Sequence, residues 1–266
     1  MEPAAAVLEI ENLRGTERTR RMLSLWKKKP QEVQEPRGKL VYAIIPAAGS
    51  SRRMGGGNKL VMELGGQPVL CRTLQVFEQC DAIDGIILVC RKQDQTIYAD
   101  LCADWKINKV MQIVEGGPSR EHSVLNGILA CNSQIGYVAI HDAARPLITD
   151  EIIRKAVETA KRDSAAAPGV RCKDSIQRMQ KGRMIENIDR EAIVAVQTPQ
   201  CFDIDLIRAA LTRAIEQEMQ LTDDCGAVTA MGQPVTITDG SYENIKITTP
   251  EDVILGEAIL KGRMLK

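Results

Sequence analysis

Apolar residues in this chain fall into short runs of five or six, separated by stretches where they recur every three or four positions. Leu-Val-Tyr-Ala-Ile-Ile (40–45) is the first run, and it predicts a buried strand. Runs at 86–90, 110–114 and 137–141 predict three more. The intervening spacing predicts helices over 68–80, 94–105, 119–131 and 149–163. Strands alternating with helices of this length imply an α/β fold. The expected form is a doubly wound, mainly parallel sheet with helices on both faces and right-handed crossovers.

The alternation loosens at 165–200. Short strands are predicted at 170–172, 175–179 and 184–188, with Lys181-Gly182 as a turn. This stretch reads as a hairpin or a β-arm projecting over about 171–197. A helix follows at 203–220, then strands at 235–238 and 245–248, and Pro250 opens a last helix. Residues 1–38 differ from the folded domain at 39–266. Arg18, Arg20, Arg21 and Lys27-Lys28-Lys29 alternate with acids, and Pro30 and Pro36 interrupt them. The segment reads as a mobile, solvated extension. Leu23, Leu25 and Trp26 leave open a short amphipathic helix for a membrane surface or a partner.

Composition narrows the classes. A hydrophobic fraction of 44% supports a sizeable core. The 35 basic and 35 acidic residues cancel, and aromatic content is 3%, which argues against a nucleic-acid-binding protein. The eight cysteines show no C-x-x-C spacing and sit mostly in apolar runs, so they are expected to be buried thiols in a reducing compartment. No secretory signal or membrane-length apolar run is present, and the expected location is cytoplasmic.

Ile-Pro-Ala-Ala-Gly-Ser-Ser-Arg-Arg-Met-Gly-Gly-Gly-Asn-Lys (45–59) directly follows the first strand, where ligands bind in open α/β sheets. Its glycines let the backbone approach an anion, and Arg52, Arg53 and Lys59 add positive charge. The P-loop pattern fails, because Lys59 follows Asn58 and precedes Leu60, and G-x-G-x-x-G is absent at this turn. A polar loop with solvated arginines is the bland alternative. Position after the first strand favours a phosphate site.

The run P-A-A-G-x-x-x-R-M-G...N-K resembles the signature of sugar-phosphate nucleotidyltransferases, a Rossmann-like fold. Further segments follow in order: His-Asp-Ala-Ala-Arg-Pro (141–146), Asp-Arg (189–190), Thr-Pro-Gln (198–200), Thr-Asp-Asp (222–224) and Asn-Ile-Lys-Ile-Thr-x-Pro-Glu-Asp (244–252). Together they resemble the 2-C-methyl-D-erythritol 4-phosphate cytidylyltransferase family over about residues 40–260. The resemblance implies attack by an acceptor phosphate oxygen on the α-phosphorus of CTP, with Mg²⁺ or another divalent cation as cofactor. Positioning and electrostatics would then carry the catalysis.

By the same resemblance, Arg53 and Lys59 stabilise charge on the α-phosphate and leaving group, and Ala47, Ala48 and Gly49 contact the nucleotide through their backbone. The turn in Val-Glu-Gly-Gly-Pro-Ser-Arg-Glu-His-Ser-Val (114–124) reads cytosine, with Gly117 and Ser123 in contact. Ser119 is placed to cap the following helix. Asp142, with Ala143, meets the nucleotide; its carboxylate also suits magnesium or the acceptor hydroxyls, and an ion pair with Arg145 is the alternative. Arg190 clamps the acceptor phosphate, Ser175, Thr198 and Thr222 help hold the acceptor, and Lys246 meets a phosphate. The arm implies a homodimer. Ser175 replaces the family's usual threonine, Pro118 stands where relatives often carry an acid, and Glu243 stands where they often carry aspartate. His141 ends an apolar strand and reads as a packed residue rather than a base. A ribitol 5-phosphate cytidylyltransferase and a non-catalytic nucleotide-binding protein on the same fold remain the alternatives.

Overall fold

Strand β1 (Leu40–Pro46) lies inside the main sheet, and its alternate side chains enter two separate apolar layers. Val41, Ala43 and Ile45 face one layer; Tyr42 and Ile44 face the other. That is the period-two geometry of a strand buried on both faces. The computed structural model describes residues 39–49 and 58–265. The amino-terminal extension, together with Arg52 and Arg53, lies outside the described residues.

Chain order continues with a small hairpin, β2 (Glu63–Leu64) and β3 (Gln67–Pro68), then α1 (Val69–Gln79), β4 (Gly85–Cys90) and α2 (Gln95–Asp104). Next come β5 (Val110–Glu115), α3 (Arg120–Leu129), β6 (Ile135–Ile140) and α4 (Asp150–Asp163). The second half holds β7 (Ala165–Arg171), β8 (Ile176–Gln180), β9 (Arg183–Ile188), β10 (Val194–Val196) and β11 (Gln200–Asp203). It closes with α5 (Ile204–Glu216), α6 (Asp224–Ala230), β12 (Thr236–Asp239) and α7 (Pro250–Met264).

The main sheet has the order β10-β7-β11-β6-β1-β4-β5, with β12 added to β7. Pairs β1–β4, β1–β6, β4–β5 and β7–β12 are parallel; β11 runs antiparallel to β6 and β7, and β10 antiparallel to β7. Helices α1, α2 and α4 cover one face through Leu74, Phe77, Tyr98 and Val157. Helices α3, α5 and α6 cover the other through Val124, Ile128, Leu206, Ile207 and Val228. The doubly wound expectation therefore holds.

Three differences separate the observed elements from the expected ones. Residues 165–171 form a full strand although only 170–172 was expected; Ala-Ala-Ala-Pro carries neither β-branched nor aromatic residues, so its strand character comes from burial in the sheet. The strand β11 was not foreseen; helix α6 opens behind Asp223, whose side chain accepts from the Gly226 N–H. The expected strand at 245–248 is irregular chain, and Ile247 docks through its N–H on the Ala144 carbonyl at 2.8 Å. The arm is the hairpin β8–β9, with Met179, Met184 and Ile185 exposed on it. Pro250 opens α7 behind a capping box of Thr249 and Asp252. Among the described residues, no helix is long and apolar enough to cross a membrane. All eight cysteines are free, and burial pushes the Cys71 thiol up to about 12 and Cys90 to about 11.

Gly127 shows how closely α3 sits on the sheet. A Cβ there would stand 2.6 Å from Cγ2 of Ile44 and 2.9 Å from Cγ2 of Val89. Both are buried methyls on stiff side chains. Gly127→Val is expected to destabilise the fold by about 2 kcal/mol or more through overpacking. Urea denaturation checks this, and an unchanged midpoint would contradict it.

Candidate active site

The strand order reverses at β1, which has β4 and β5 on one side and β6 on the other. Such a switch point leaves a crevice at the carboxyl ends of the strands. A cavity of about 430 Å³ occupies it. Its walls include Ala47, Ala48 and Gly49 after β1, Gly117 to Arg120 after β5, Asp142 and Ala143 after β6, and Lys59 and Lys246.

Backbone bonds set the walls. The Ala47 N–H donates to the Val89 carbonyl at 2.6 Å, and the Gly116 N–H to the Cys90 carbonyl at 2.9 Å. At Gly116 a Cβ would lie 2.8 Å from Cβ of Ala48 and 2.9 Å from Oγ of Ser123, so glycine permits the two loops to touch. A Cβ at Gly117 would collide with His122. The Gly117 N–H donates to Ser123 Oγ at 3.1 Å, and that hydroxyl donates to the Ser119 carbonyl at 2.9 Å. Ser119 caps α3, accepting from the His122 N–H.

Asp142 is the centre of charge. Its carboxylate lies 2.9 Å from Lys246 Nζ, 3.5 Å from Arg145 Nε and 3.8 Å from Arg120 Nη2. Burial opposes its ionisation, but Lys246 and Arg120, with Arg145, overcome this and hold the carboxyl well below the usual range. Lys59 Nζ donates to the Ile247 carbonyl at 2.7 Å, beside Lys246 in sequence. Two ammonium groups and a guanidinium therefore line one cavity, which suits a polyphosphate.

His141 is fully buried beneath Asp142, its ring centroid 4.9 Å from that of Phe77. Nε2 donates to the Arg145 carbonyl at 3.2 Å, which leaves Nδ1 to accept from the Thr198 hydroxyl at 3.0 Å. The same hydroxyl accepts from the Asp142 N–H at 3.2 Å. Burial pushes the imidazole from 6.5 down to about 4. Between those values the unfolded chain binds a proton that the folded one refuses. Stability is therefore expected to fall as pH drops from 6.5 toward 4, by up to about 1.4 kcal/mol per pH unit. In His141→Gln the stability–pH curve should flatten in that window; an unchanged slope would contradict the assignment.

The cavity brings together Ala47, Ala48, Gly49, Lys59, Gly117, Ser123, Asp142, Ala143 and Lys246, as the sequence expected. Others lie elsewhere. Thr198 is buried behind Asp142 with its proton committed to His141. Ser175 and Thr222 are exposed and outside the cavity wall. Arg190 is exposed at the base of the arm, donating to the Lys173 carbonyl at 3.2 Å. Arg53 falls outside the described residues. Glu243 pairs with Arg263 at 2.8 Å. Sequence reasoning missed Arg120 and Asp224. Nη1 and Nη2 of Arg120 donate to Oδ1 and Oδ2 of Asp224 at 2.9 and 2.7 Å. A basic residue directly after a capping serine at the cavity turn was the available signal for Arg120. Asp224 ends the Thr-Asp-Asp run (222–224), but nothing local pointed to its pairing with Arg120, 104 positions away.

Among the described residues, no three His, Cys, Asp or Glu side chains converge as a metal cluster. The cavity wall offers the carboxylate of Asp142. One carboxylate fits magnesium when phosphate oxygens and water complete the shell.

Comparison with known proteins adds an independent line. The family model described as 2-C-methyl-D-erythritol 4-phosphate cytidylyltransferase matches residues 41–262. A protein of that name from Halalkalibacterium halodurans is 44% identical over 218 residues, covering 82% of this chain and 95% of the relative. One from Geobacillus kaustophilus is 42% identical, covering 84% and 97%. The crystal structure of 4-diphosphocytidyl-2C-methyl-D-erythritol synthase from Anaerococcus prevotii superposes with a TM-score of 0.76 at 32% identity, covering 84% of this chain and 97% of its own.

Proposed function

Since the chain belongs to the 2-C-methyl-D-erythritol 4-phosphate cytidylyltransferase family, we propose that the cavity at the β1 switch point is where it joins CTP to that acceptor and releases pyrophosphate. The enzyme is a nucleotidyltransferase of isoprenoid precursor synthesis. The observation that carries the site assignment is Lys59 and Lys246 converging on one cavity with Asp142 and a glycine turn.

In this reading the base lies against Gly117 and Ser123, at the turn where the missing Cβ of Gly116 lets the loops carrying Ala48 and Ser123 close on each other. Ala47, Ala48 and Gly49 meet the ribose and phosphates. The acceptor's phosphate oxygen attacks the α-phosphorus in line, and the bond to the bridging oxygen of pyrophosphate breaks. Lys59 draws charge from the α-phosphate and the leaving group, joined by Arg53. Lys246, held by Asp142, orients the attacking phosphate. A divalent cation, Mg²⁺, would be held by Asp142 together with the triphosphate, supplying charge neutralisation.

Arg190 and Ser175 sit on or beside the arm, away from their own chain's cavity. The reading therefore makes the enzyme a homodimer whose arm delivers them to the second copy. Exposed Met179, Met184 and Ile185 are apolar surface such a copy would cover. Mixing inactive Lys59→Ala and Arg190→Ala proteins after subunit exchange should restore turnover, because each mixed dimer regains one complete site. Failure to recover would leave Arg190 acting within its own chain or not at all.

The overall test is pyrophosphate release from Mg²⁺, CTP and 2-C-methyl-D-erythritol 4-phosphate, with ribitol 5-phosphate in parallel. Release with the methylerythritol phosphate alone is expected. Release with ribitol phosphate alone would overturn the acceptor.

A further inference from the structure

The mechanism above makes no use of the Arg120–Asp224 pair. Arg120 is the first residue of α3 and Asp224 the first of α6. Their side chains meet edge to edge, both Nη atoms on both Oδ atoms. This bidentate fork fixes the plane of a guanidinium as a single contact cannot. The Asp224 side chain is fully buried, whereas that of Arg120 is 29% exposed and faces the cavity.

Asp224 is itself anchored. Its N–H donates to Oε1 of Gln200 on β11 at 3.0 Å, and Nε2 of Gln200 donates to Oδ2 of Asp223 at 2.8 Å. The start of α6 is thus tied to the sheet, and the fork passes that position on to α3. One turn upstream of α3 lies the Gly116-Gly117 turn. The guanidinium also stands between two carboxylates. Nη2 is 2.7 Å from Asp224 and 3.8 Å from Asp142. Lys246 holds Asp142 at 2.9 Å. If Asp224 lost its charge, Arg120 would be drawn the remaining distance onto Asp142. It would then compete with Lys246 and pull the glycine turn inward.

We propose that Asp224 is a positioning residue for the nucleotide: by holding both Nη atoms of Arg120 it fixes the first turn of α3 and the adjoining glycine turn, and keeps Arg120 from closing on Asp142. This rests on assigning the cavity to CTP.

The test compares Asp224→Asn, which keeps shape but removes the charge, with Arg120→Lys, which keeps charge but removes the fork. CTP binding is measured by calorimetry without acceptor, alongside KM for each substrate, kcat and thermal stability. Both variants are expected to weaken CTP binding and raise its KM by about tenfold or more, with KM for the acceptor changed by less than about twofold. Equal losses for both substrates that track a fall in thermal stability would reduce the pair to a structural one and overturn the proposal. Unchanged CTP binding in folded protein would do the same. Should Asp224→Asn not fold, Arg120→Lys alone decides, since its partly exposed side chain tolerates the change. Lys59→Ala separates the two assignments: if it stays active, the cavity reading has failed, whereas an inactive Lys59→Ala beside normal Asp224→Asn and Arg120→Lys overturns only the positioning role.

Discussion

Lys59→Ala is expected to lower kcat by about 10²–10³, or roughly 2.7–4 kcal/mol of transition-state stabilisation, with little change in fold. Lys59 Nζ rests on the Ile247 carbonyl at 2.7 Å, at the cavity wall. That carbonyl holds the ammonium at the cavity wall before substrate arrives, where a fixed positive group can meet the charge that moves onto pyrophosphate. Lys59→Arg should recover part of the loss, because charge is kept while a planar fork replaces a compact donor. Steady-state kinetics with circular dichroism checks both. A Lys59→Ala enzyme within about threefold of wild type would remove the cavity from the chemistry, since that is far below the loss of a transition-state donor.

Asp142→Asn should lower turnover by about 10² or more and also cost stability. The carboxylate is the common partner of Lys246, Arg145 and Arg120. An amide leaves these cations facing one another and frees Lys246 from its 2.9 Å contact. Removing one partner of a fully buried pair costs about 3–5 kcal/mol, but the Lys246 side chain is 40% exposed, so about 1–3 kcal/mol is expected. The pH dependence separates this group from His141. The Asp142 carboxyl is held below its ordinary 3.8, so its contribution is present above that value and lost as pH falls below it. Asp142→Asn should flatten the stability curve on that acid limb and leave the window from 6.5 to about 4 to His141. Urea midpoints across pH read both; the same acid limb in the variant would show that Asp142 is not the group titrating there.

Residues 40–45, 86–90 and 137–141 read as strands because each run is largely apolar and short, which fits burial on both sheet faces, and the observed strands span 40–46, 85–90 and 135–140. Residues 165–171 did not, since alanine and proline carry no strand preference of their own. Their pairing with β10, β11 and β12 comes from partners up to about 70 positions distant. The irregular course of 245–248 has the same origin. Alternating Ile245, Lys246 and Ile247 looks like a strand, yet the residues pair with Ala144 and Asp142 at the cavity instead of with a ladder.

The sequence by itself determined the doubly wound sheet, the glycine turns and most of the cavity wall, because period and turn chemistry are local properties. It also supplied Lys59, Asp142 and Lys246, which line the cavity at the carboxyl ends of the strands. Only the tertiary structure decided what those charges do to one another. It put three cations around Asp142, committed Thr198 to a buried histidine, set Arg190 outside its own cavity and joined Arg120 to Asp224. A pairing between charges depends on distances that close only when the helices dock, and no spacing along the chain encodes them.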